Sequence, residues 1–389
     1  MKDFNHILTN HSLFLDEEHQ ILRDQIKRFV DEKVKPNGIE WEKNGFIPRD
    51  IFVEMGKLGF LGITYPSEYG GSAMDSRGSV VLAEELGRST FSGFAIATLV
   101  HTDMASVHLL NAGSQAQKEK YLKEIILGKK ISCVAVTEPH VGSDVKNIST
   151  KAKKVGDKYY LNGSKIYITN GVHADIYFVA AKTAENNNRA ETITIFIVEK
   201  GNPGLKIGRV LDKHGWRSSD TAELFFDNCE VSEISILGKR NRGFYAIMKN
   251  FQNERLVMGA MAMGEAQAAI DLTVEYVKNR DAFDRKLWNN QTIRHRLAML
   301  QSKVTAGRYM VYSVANKIGS GLDVIKEVSM IKVYCGELVN EVMYTCLQFH
   351  GGSGYMTESV IERLARDARA QSIGGGATEV MLEEIAKRM

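Results

Sequence analysis

The hydrophobic positions along this chain change their period twice. In the first third Leu22, Ile26, Phe29 and Val30 recur at three- and four-residue spacing, which puts them on one face of an amphipathic helix. Ser114 with Gln117 has the form of a capping box ahead of QKEKYLKEIIL, and Gly128 supplies a stop for that helix. From about residue 130 to 235 the period becomes two. It is clearest in TITIFIV, where Ile193, Ile195 and Ile197 share a face opposite Thr192 and Thr194. Asn162-Gly163 in YYLNGSKIYIT predicts a hairpin turn, and ENNNR at 185–189 reads as a hairpin tip or surface loop. After LGKRNRG at 237–243 the helical pattern returns and runs to the end, interrupted by GSG at 319–321 and HGGSG at 350–354. This order predicts an α+β chain in three parts: helices over 1–128, strands over 129–238, and a helical bundle over 239–389.

Composition adds several bounds. A chain of 389 residues is longer than the roughly 250 to 300 at which single cores stop growing, so it can enclose a large ligand. Five prolines leave few forced breaks, which suits long bundled helices in the last third. Gly259 and Gly264 fall inside the helix that starts near 242, where each costs up to about 1 kcal/mol relative to alanine, so something packs close there. Fifty basic against forty-seven acidic residues leave +3, which argues against nucleic acid or an anionic membrane as the main partner. The cysteines, Cys133, Cys229, Cys335 and Cys346, form no CxxC pair, and no HExxH suggests zinc. The opening MKDFNHILTNHSLFLDEEHQ lacks a continuous apolar stretch, so neither signal peptide nor membrane insertion is expected and a cytoplasmic location is. No GxGxxG lies between a strand and a helix, which argues against a nicotinamide enzyme.

One acid stands out. In FQNERLVMGAMAMG, residues 251–264, Phe251, Glu254, Met258 and Met261 share a helical face that is apolar apart from the carboxylate. Consecutive helical side chains diverge, so Arg255 is poorly placed to pair with it. Glu254 is therefore either paired with a distant cation or a base kept in a dry pocket. Met258, Met261 and Met263 read as packing that could line an adaptable cavity. His350, isolated beside two glycines, is assigned no chemistry.

AVTEPHVGSD at 135–144, LNGSKIYITNG at 161–171, NRDAF from Asn279 with Gln291 after it, QFHGGSGY at 348–355 and ERLARDARAQSIGGGATEV at 362–380 together resemble the acyl-CoA dehydrogenases. The likeness spans nearly the whole chain in order. It implies an N-terminal helical domain, a middle β-barrel and a C-terminal four-helix bundle, with FAD bound between the subunits of a homotetramer. By matched position Val134, Ala135, Val136, Thr137, Gly142 and Ser143 would line the flavin edge, and Tyr167, Ile168 and Thr169 would stand at its ring. Arg280, Phe283 and Gln291 would reach the FAD of a neighbouring subunit. Gln348, Gly351 and Gly352 would close on its phosphates and adenine, with Ala377, Thr378 and Glu379 nearby. Asp284 replaces the glycine usual after that phenylalanine, and Ala377 replaces the usual threonine.

The resemblance also implies the chemistry. A base must remove a proton from the α-carbon of an acyl thioester while a hydride leaves the β-carbon. Family members carry that base in the C-terminal loop or on the bundle helix. Here the loop has Gly375 where medium- and short-chain members have glutamate, and Glu254 stands at the helix position used by the long-chain and isovaleryl branches. Ser143, Tyr245, Gln252, Asn253, Arg255, Gly375 and Gly376 fall at substrate-contact positions. The implied reaction turns a long- or branched-chain acyl-CoA into a trans-2-enoyl-CoA and passes electrons to an electron-transfer flavoprotein. Two alternatives stay open at this point: a flavin oxidase or monooxygenase on the same scaffold, and a non-catalytic acyl-CoA-binding homologue.

Overall fold

The computed structural model describes residues 14–185 and 187–389. Its first element, α1 (Glu17–Phe29), buries Leu22, Ile26 and Phe29, with acids in its first turn and bases in its last, as the helix dipole favours. A π-helical turn, Val30–Val34, carries it into α2 (Lys35–Asn44). After α3 (Arg49–Lys57) and α4 (Ser76–Gly87) comes a long apolar rod made of α5 (Ser92–Leu99), a π-helical segment Val100–Ala105, and α6 (Ser106–Ala112). That rod is long and apolar enough to cross a membrane, but 89% of it is buried inside the protein. α7 (Gln115–Ile126) starts on the capping box: Ser114 Oγ accepts from Gln117 N at 3.3 Å and Gln117 Oε1 accepts from Ser114 N at 3.0 Å. It stops at Gly128, whose φ of +67° is the left-handed cap that glycine allows.

The strands are β1 (Ser132–Ala135), β2 (Lys151–Val155), β3 (Lys158–Thr169), β4 (Ile176–Lys182), β5 (Ile193–Glu199), β6 (Leu205–Val210), β7 (Thr221–Ser232) and β8 (Ile236–Leu237). They pair in the order β6-β7-β3-β2-β4-β5-β8, with β1 parallel to β4 off that path. The expected barrel is not closed. β6 and β8 remain the ends of the path, and β2 meets β4 at one residue pair only, Lys151 with Lys182. The cause lies in β2, which buries Ala152 alone and leaves its lysines in solvent, so no burial drives it to pair further along β4.

The hairpin expected at Asn162-Gly163 is also displaced. Those residues lie inside β3, where the pairing with β7 slips between Leu161 and Gly163. The turn is made instead by Gly156 and Asp157, between paired Val155 and Lys158, with Gly156 at φ +61°. A side chain on Gly163 would bring its Cβ within 2.6 Å of Thr150 Oγ1, so the glycine serves a bulge rather than a turn. Ile193, Ile195 and Ile197 do share a face, which packs toward the helices. Phe196 and Val198, on the opposite face, fill a second core inside the sheet.

The C-terminal part is α8 (Gly243–Asn279), a small hairpin of β9 (Asp281–Ala282) and β10 (Arg285–Lys286), α9 (Gln291–Gly319), α10 (Ile325–His350), α11 (Val360–Ala368) and α12 (Thr378–Ala386). Three long helices form the bundle, and the two short ones lie on α10. The two helix-interior glycines mark close approaches. A Cβ on Gly259 would stand 2.2 Å from Ile331 Cγ2 of α10, and one on Gly264 2.1 Å from the Glu84 carbonyl of α4. One apolar core therefore runs through the N- and C-terminal helices together. Within it Arg23, Glu84, Arg308 and Tyr312 form a buried charged network joining α1, α4 and α9.

Candidate active site

Glu254 sits in the fourth turn of α8, 7% exposed. It faces the π-helical segment of the N-terminal rod. A π-turn breaks the regular i to i−4 ladder and frees carbonyls to accept from elsewhere. Two amides of α8 use them. Asn250 Nδ2 donates to the Met104 carbonyl at 3.1 Å and to Glu254 Oε1 at 3.0 Å. Asn253 Nδ2 donates to the Asp103 carbonyl at 3.1 Å and to Asp103 Oδ1 at 3.2 Å. The base candidate is thus fixed at a seam between the first and last parts of the chain. Burial pushes its carboxyl up to about 8, opposed by the Asn250 hydrogen bond and then by the Arg255 charge. Asp103 is raised as well, by burial, against hydrogen bonds from Thr102 and Asn253. Sequence reasoning missed Asn250 and Asp103. The first was open to it, one turn before Glu254; the π-turn that positions the second leaves no pattern in the sequence.

Arg255 turns away from Glu254. It is 8% exposed, its Nη1 lies 3.5 Å from Ser329 Oγ on α10, and its guanidinium stands 5.5 Å from the Phe251 ring. Burial lowers its affinity for a proton, with Glu254 the leading opposing charge. Tyr245 is exposed at the start of α8 beside Arg242, and Gln252 and Asn253 are half-buried. The amide nitrogen of Asn253 is committed to Asp103, which leaves its oxygen for a ligand.

The glycine-rich loop after α11 reaches the same place from another side. Gly375 and Gly376 have φ of +66° and +114°, and a Cβ on Gly375 would lie 2.4 Å from Met258 Sδ. Met258 is one turn beyond Glu254 on α8. A side chain at 375 would have to take a left-handed backbone and push the end of that methionine aside, so the local geometry suits glycine. Ala377 follows as the N-cap of α12 and makes no side-chain cap; Thr378 Oγ1 donates to Glu337 at 2.5 Å, and Glu379 is exposed.

At the sheet end, Val134, Val136 and Thr137 are half-buried while Gly142 and Ser143 are exposed. The side chains of Ala135 and Ile168 point into the sheet core, so these two can offer a ligand only their main chain. Ile166 N donates to the Thr137 carbonyl at 3.0 Å, tying the 136–143 loop to β3. Beneath it Lys165 Nζ, fully buried, donates to Glu138 Oε1 at 2.8 Å and to the Val136 carbonyl at 2.9 Å. Burial resists a charge on Glu138, but Lys165 and the bonds from Ser149 and Thr150 outweigh it and hold the carboxyl at about 2. This pair also escaped the sequence reading. Tyr167, at φ +60°, holds its ring 67% exposed next to half-buried Thr169. An exposed aromatic ring on the strand that the 136–143 loop is tied to, with hydroxyl residues Thr137, Ser143 and Thr169 on that loop and strand, is the chemistry that a flat heterocycle with a polar edge needs, so the residues present fit a flavin. Val134, Val136 and Phe251 pack on one apolar cluster, which joins this end to the base helix.

A second group lies elsewhere. Arg280, Phe283 and Gln291 are exposed around the β9–β10 hairpin, Phe283 at 93%. Gln348, Gly351 and Gly352 are exposed at the end of α10. Tyr276 and His350 stack with centroids 4.2 Å apart and bring these two ends together, a structural task for His350. Arg280, just past the end of α8, comes twenty-six positions after Glu254, a rise of about 39 Å along the helix.

The acyl-CoA dehydrogenase N-terminal, middle and C-terminal domain families match residues 16–129, 133–229 and 241–389. The chain belongs to the acyl-CoA dehydrogenase family. Among curated members it is 37% identical over 378 residues to the mitochondrial long-chain specific acyl-CoA dehydrogenase of Mus musculus, covering 96% of this chain and 86% of that one. It is also 37% identical over 371 residues to the mitochondrial isovaleryl-CoA dehydrogenase of Pongo abelii, covering 94% and 87%. Among solved members, the acyl-CoA dehydrogenase from Geobacillus kaustophilus superposes with a TM-score of 0.93 at 38% identity, over 96% of this chain and 98% of the other. The open sheet of this acyl-CoA dehydrogenase thus lies within the family fold.

Proposed function

We propose that this chain is an FAD-dependent acyl-CoA dehydrogenase in which Glu254 is the base, acting on a long- or branched-chain acyl-CoA. The observation that carries this reading is the burial of Glu254 opposite a loop whose glycines leave no rival acid at 375. Ionised Glu254 takes the α-proton of the thioester: its oxygen gains an O–H bond as the α-carbon loses its C–H bond. Burial keeps the carboxyl's affinity for that proton near neutral pH, where a base can both accept and release it. The main-chain N–H groups of the Gly375–Gly376 turn are donors for the thioester oxygen as it gains negative charge. Thr137, Ser143, Tyr167 and Thr169 would hold the flavin ring. FAD, when bound, supplies the acceptor for the hydride that leaves the β-carbon.

Arg280, Phe283, Gln291, Gln348, Gly351 and Gly352 would hold the same cofactor from another subunit, because about 39 Å of helix keeps them from the Glu254 end of their own chain. A homotetramer with FAD at its subunit interfaces meets that need. The names of the long-chain and isovaleryl relatives support a fatty substrate of long or branched chain. An electron-transfer flavoprotein would be the acceptor. An oxidase would differ at the last step only, so the same preparation separates the two. A panel of acyl-CoAs assayed with an artificial electron acceptor, with and without air, should show acceptor-dependent turnover on long or branched chains and little peroxide. Turnover that needs oxygen and releases stoichiometric peroxide would reverse the reading, and colourless protein inert to every acyl-CoA would point to a binding homologue.

A further inference from the structure

A second buried acid lies on the same helix, and the chemistry above does not use it. Glu265 is 0% exposed and stands eleven residues after Glu254, three helical turns along the same face. Both of its oxygens accept from one partner: Gln371 Nε2 lies 3.3 Å from Oε1 and 3.2 Å from Oε2. Burial pushes the carboxyl up to about 8, opposed by a hydrogen bond with Ser92 and helped by Asp367, itself fully buried.

Gln371 is gripped from a second helix too. Buried Lys332 of α10 donates to its carbonyl, and the backbone of Gly336 lets the chain approach, since a Cβ there would stand 2.9 Å from that same oxygen. From Gln371 the chain runs back along α8. Four residues later Gly375 packs on Met258, seven positions before Glu265, and Lys332 Cε flanks the same glycine at 3.8 Å from its Cβ position. Between the two contacts the chain folds through the 3-10 turn Arg369–Ser372 and a turn closed by Gly374 N on the Ala370 carbonyl at 2.9 Å, with Gln371 reaching Glu265 by its side chain. The loop is therefore anchored at the level of Glu265 and delivers its glycines one turn from Glu254.

We infer that Glu265 is a positioning residue for the reaction: through Gln371 it fixes the height of the 372–376 loop above Glu254, and so the place of the main-chain donors facing the thioester. The inference rests on Glu254 and that loop forming the reacting site. Glutamine at 265 keeps an acceptor for Gln371 Nε2, whereas leucine keeps the volume and offers none.

The test uses the flavin-loaded full chain with Glu265→Gln, Glu265→Leu and, from the loop side, Gln371→Met. Amide hydrogen exchange over the 370–380 peptides is read beside kcat and KM for the best acyl-CoA of the panel. With Glu265→Leu and Gln371→Met, exchange in that segment should rise about tenfold while the rest of the chain keeps its protection. kcat should fall by about tenfold with KM changed far less, since donors to the developing charge are what is displaced. Glu265→Gln should restore both readings to within about twofold of the parent. Parent-like exchange in Glu265→Leu, or Glu265→Gln as damaged as Glu265→Leu, overturns the inference. If Glu265→Leu does not fold, Gln371→Met decides by the same criteria. The exchange reading involves no turnover, so it stands or falls separately from the assignment of Glu254.

Discussion

Asn250 Nδ2 lies 3.0 Å from Glu254 Oε1 and 3.1 Å from the Met104 carbonyl, so a single amide spans the proposed base and the N-terminal π-turn. The donor favours the ionised carboxylate. Asn250→Leu removes it, and Glu254 should then hold its proton to higher pH. kcat/KM at pH 7 should fall about tenfold, the equivalent of the ~1.5 kcal/mol that a hydrogen bond to a charged group contributes. Most of the loss should be recovered at pH 9, which a steady-state pH series would show.

The parent enzyme should show the same limb unshifted. A base that must be ionised, with its carboxyl raised to about 8, gives kcat/KM that climbs with pH and levels off near that value. A profile already flat at pH 6 would mean that a different group takes the proton.

Stability should move the opposite way. Glu254 binds its proton more tightly folded than unfolded, so between the ordinary glutamate value of 4.5 and about 8 the native state holds more protons and loses stability as pH rises. Glu254→Gln removes this contribution. In urea titrations with saturating flavin, the variant should gain on the parent between pH 5 and pH 8.

Two local departures from the family pattern can be reversed. Ala377 caps α12 without a side-chain acceptor, and its backbone is already extended, at φ −61° and ψ 148°. Ala377→Thr should supply that acceptor and stabilise the protein by about 0.5–2 kcal/mol, seen as a higher melting temperature.

Asp284 is the second. It and Phe283 have φ of +60° and +54° in the two-residue turn between β9 and β10, the geometry that favours glycine. Asp284→Gly should relieve about 1 kcal/mol of backbone strain, measurable by the same melting curves.

How much of this was legible in the sequence depends on the range of the interaction. Local signals read well: the Ser114 box, the Gly128 stop and the isoleucine face of β5 depend on neighbours a few residues away. Asn162-Gly163 misled because the same two residues suit a bulge, and only the pairing of β3 with β7 decides between the two. Closure of the sheet failed for a similar reason, since β2 looks like any short strand until its lysines are seen facing solvent. Glu254 stood out because an acid in an apolar run is costly. Glu265, eleven residues on in the same run, is equally costly, and it passed unnoticed because its partner Gln371 is more than a hundred residues distant. Asp103 and the Lys165–Glu138 pair were hidden in the same way, behind a π-turn and a crossing between strands.

The central claim is that Glu254 removes the α-proton. The most direct measurement mixes the flavin-loaded Glu254→Gln variant with its best acyl-CoA in the absence of oxygen and follows the yellow absorbance. The account predicts that the variant binds both molecules and stays yellow, while the parent bleaches within the dead time of a turnover. Bleaching of the variant at a rate near the parent's would contradict it.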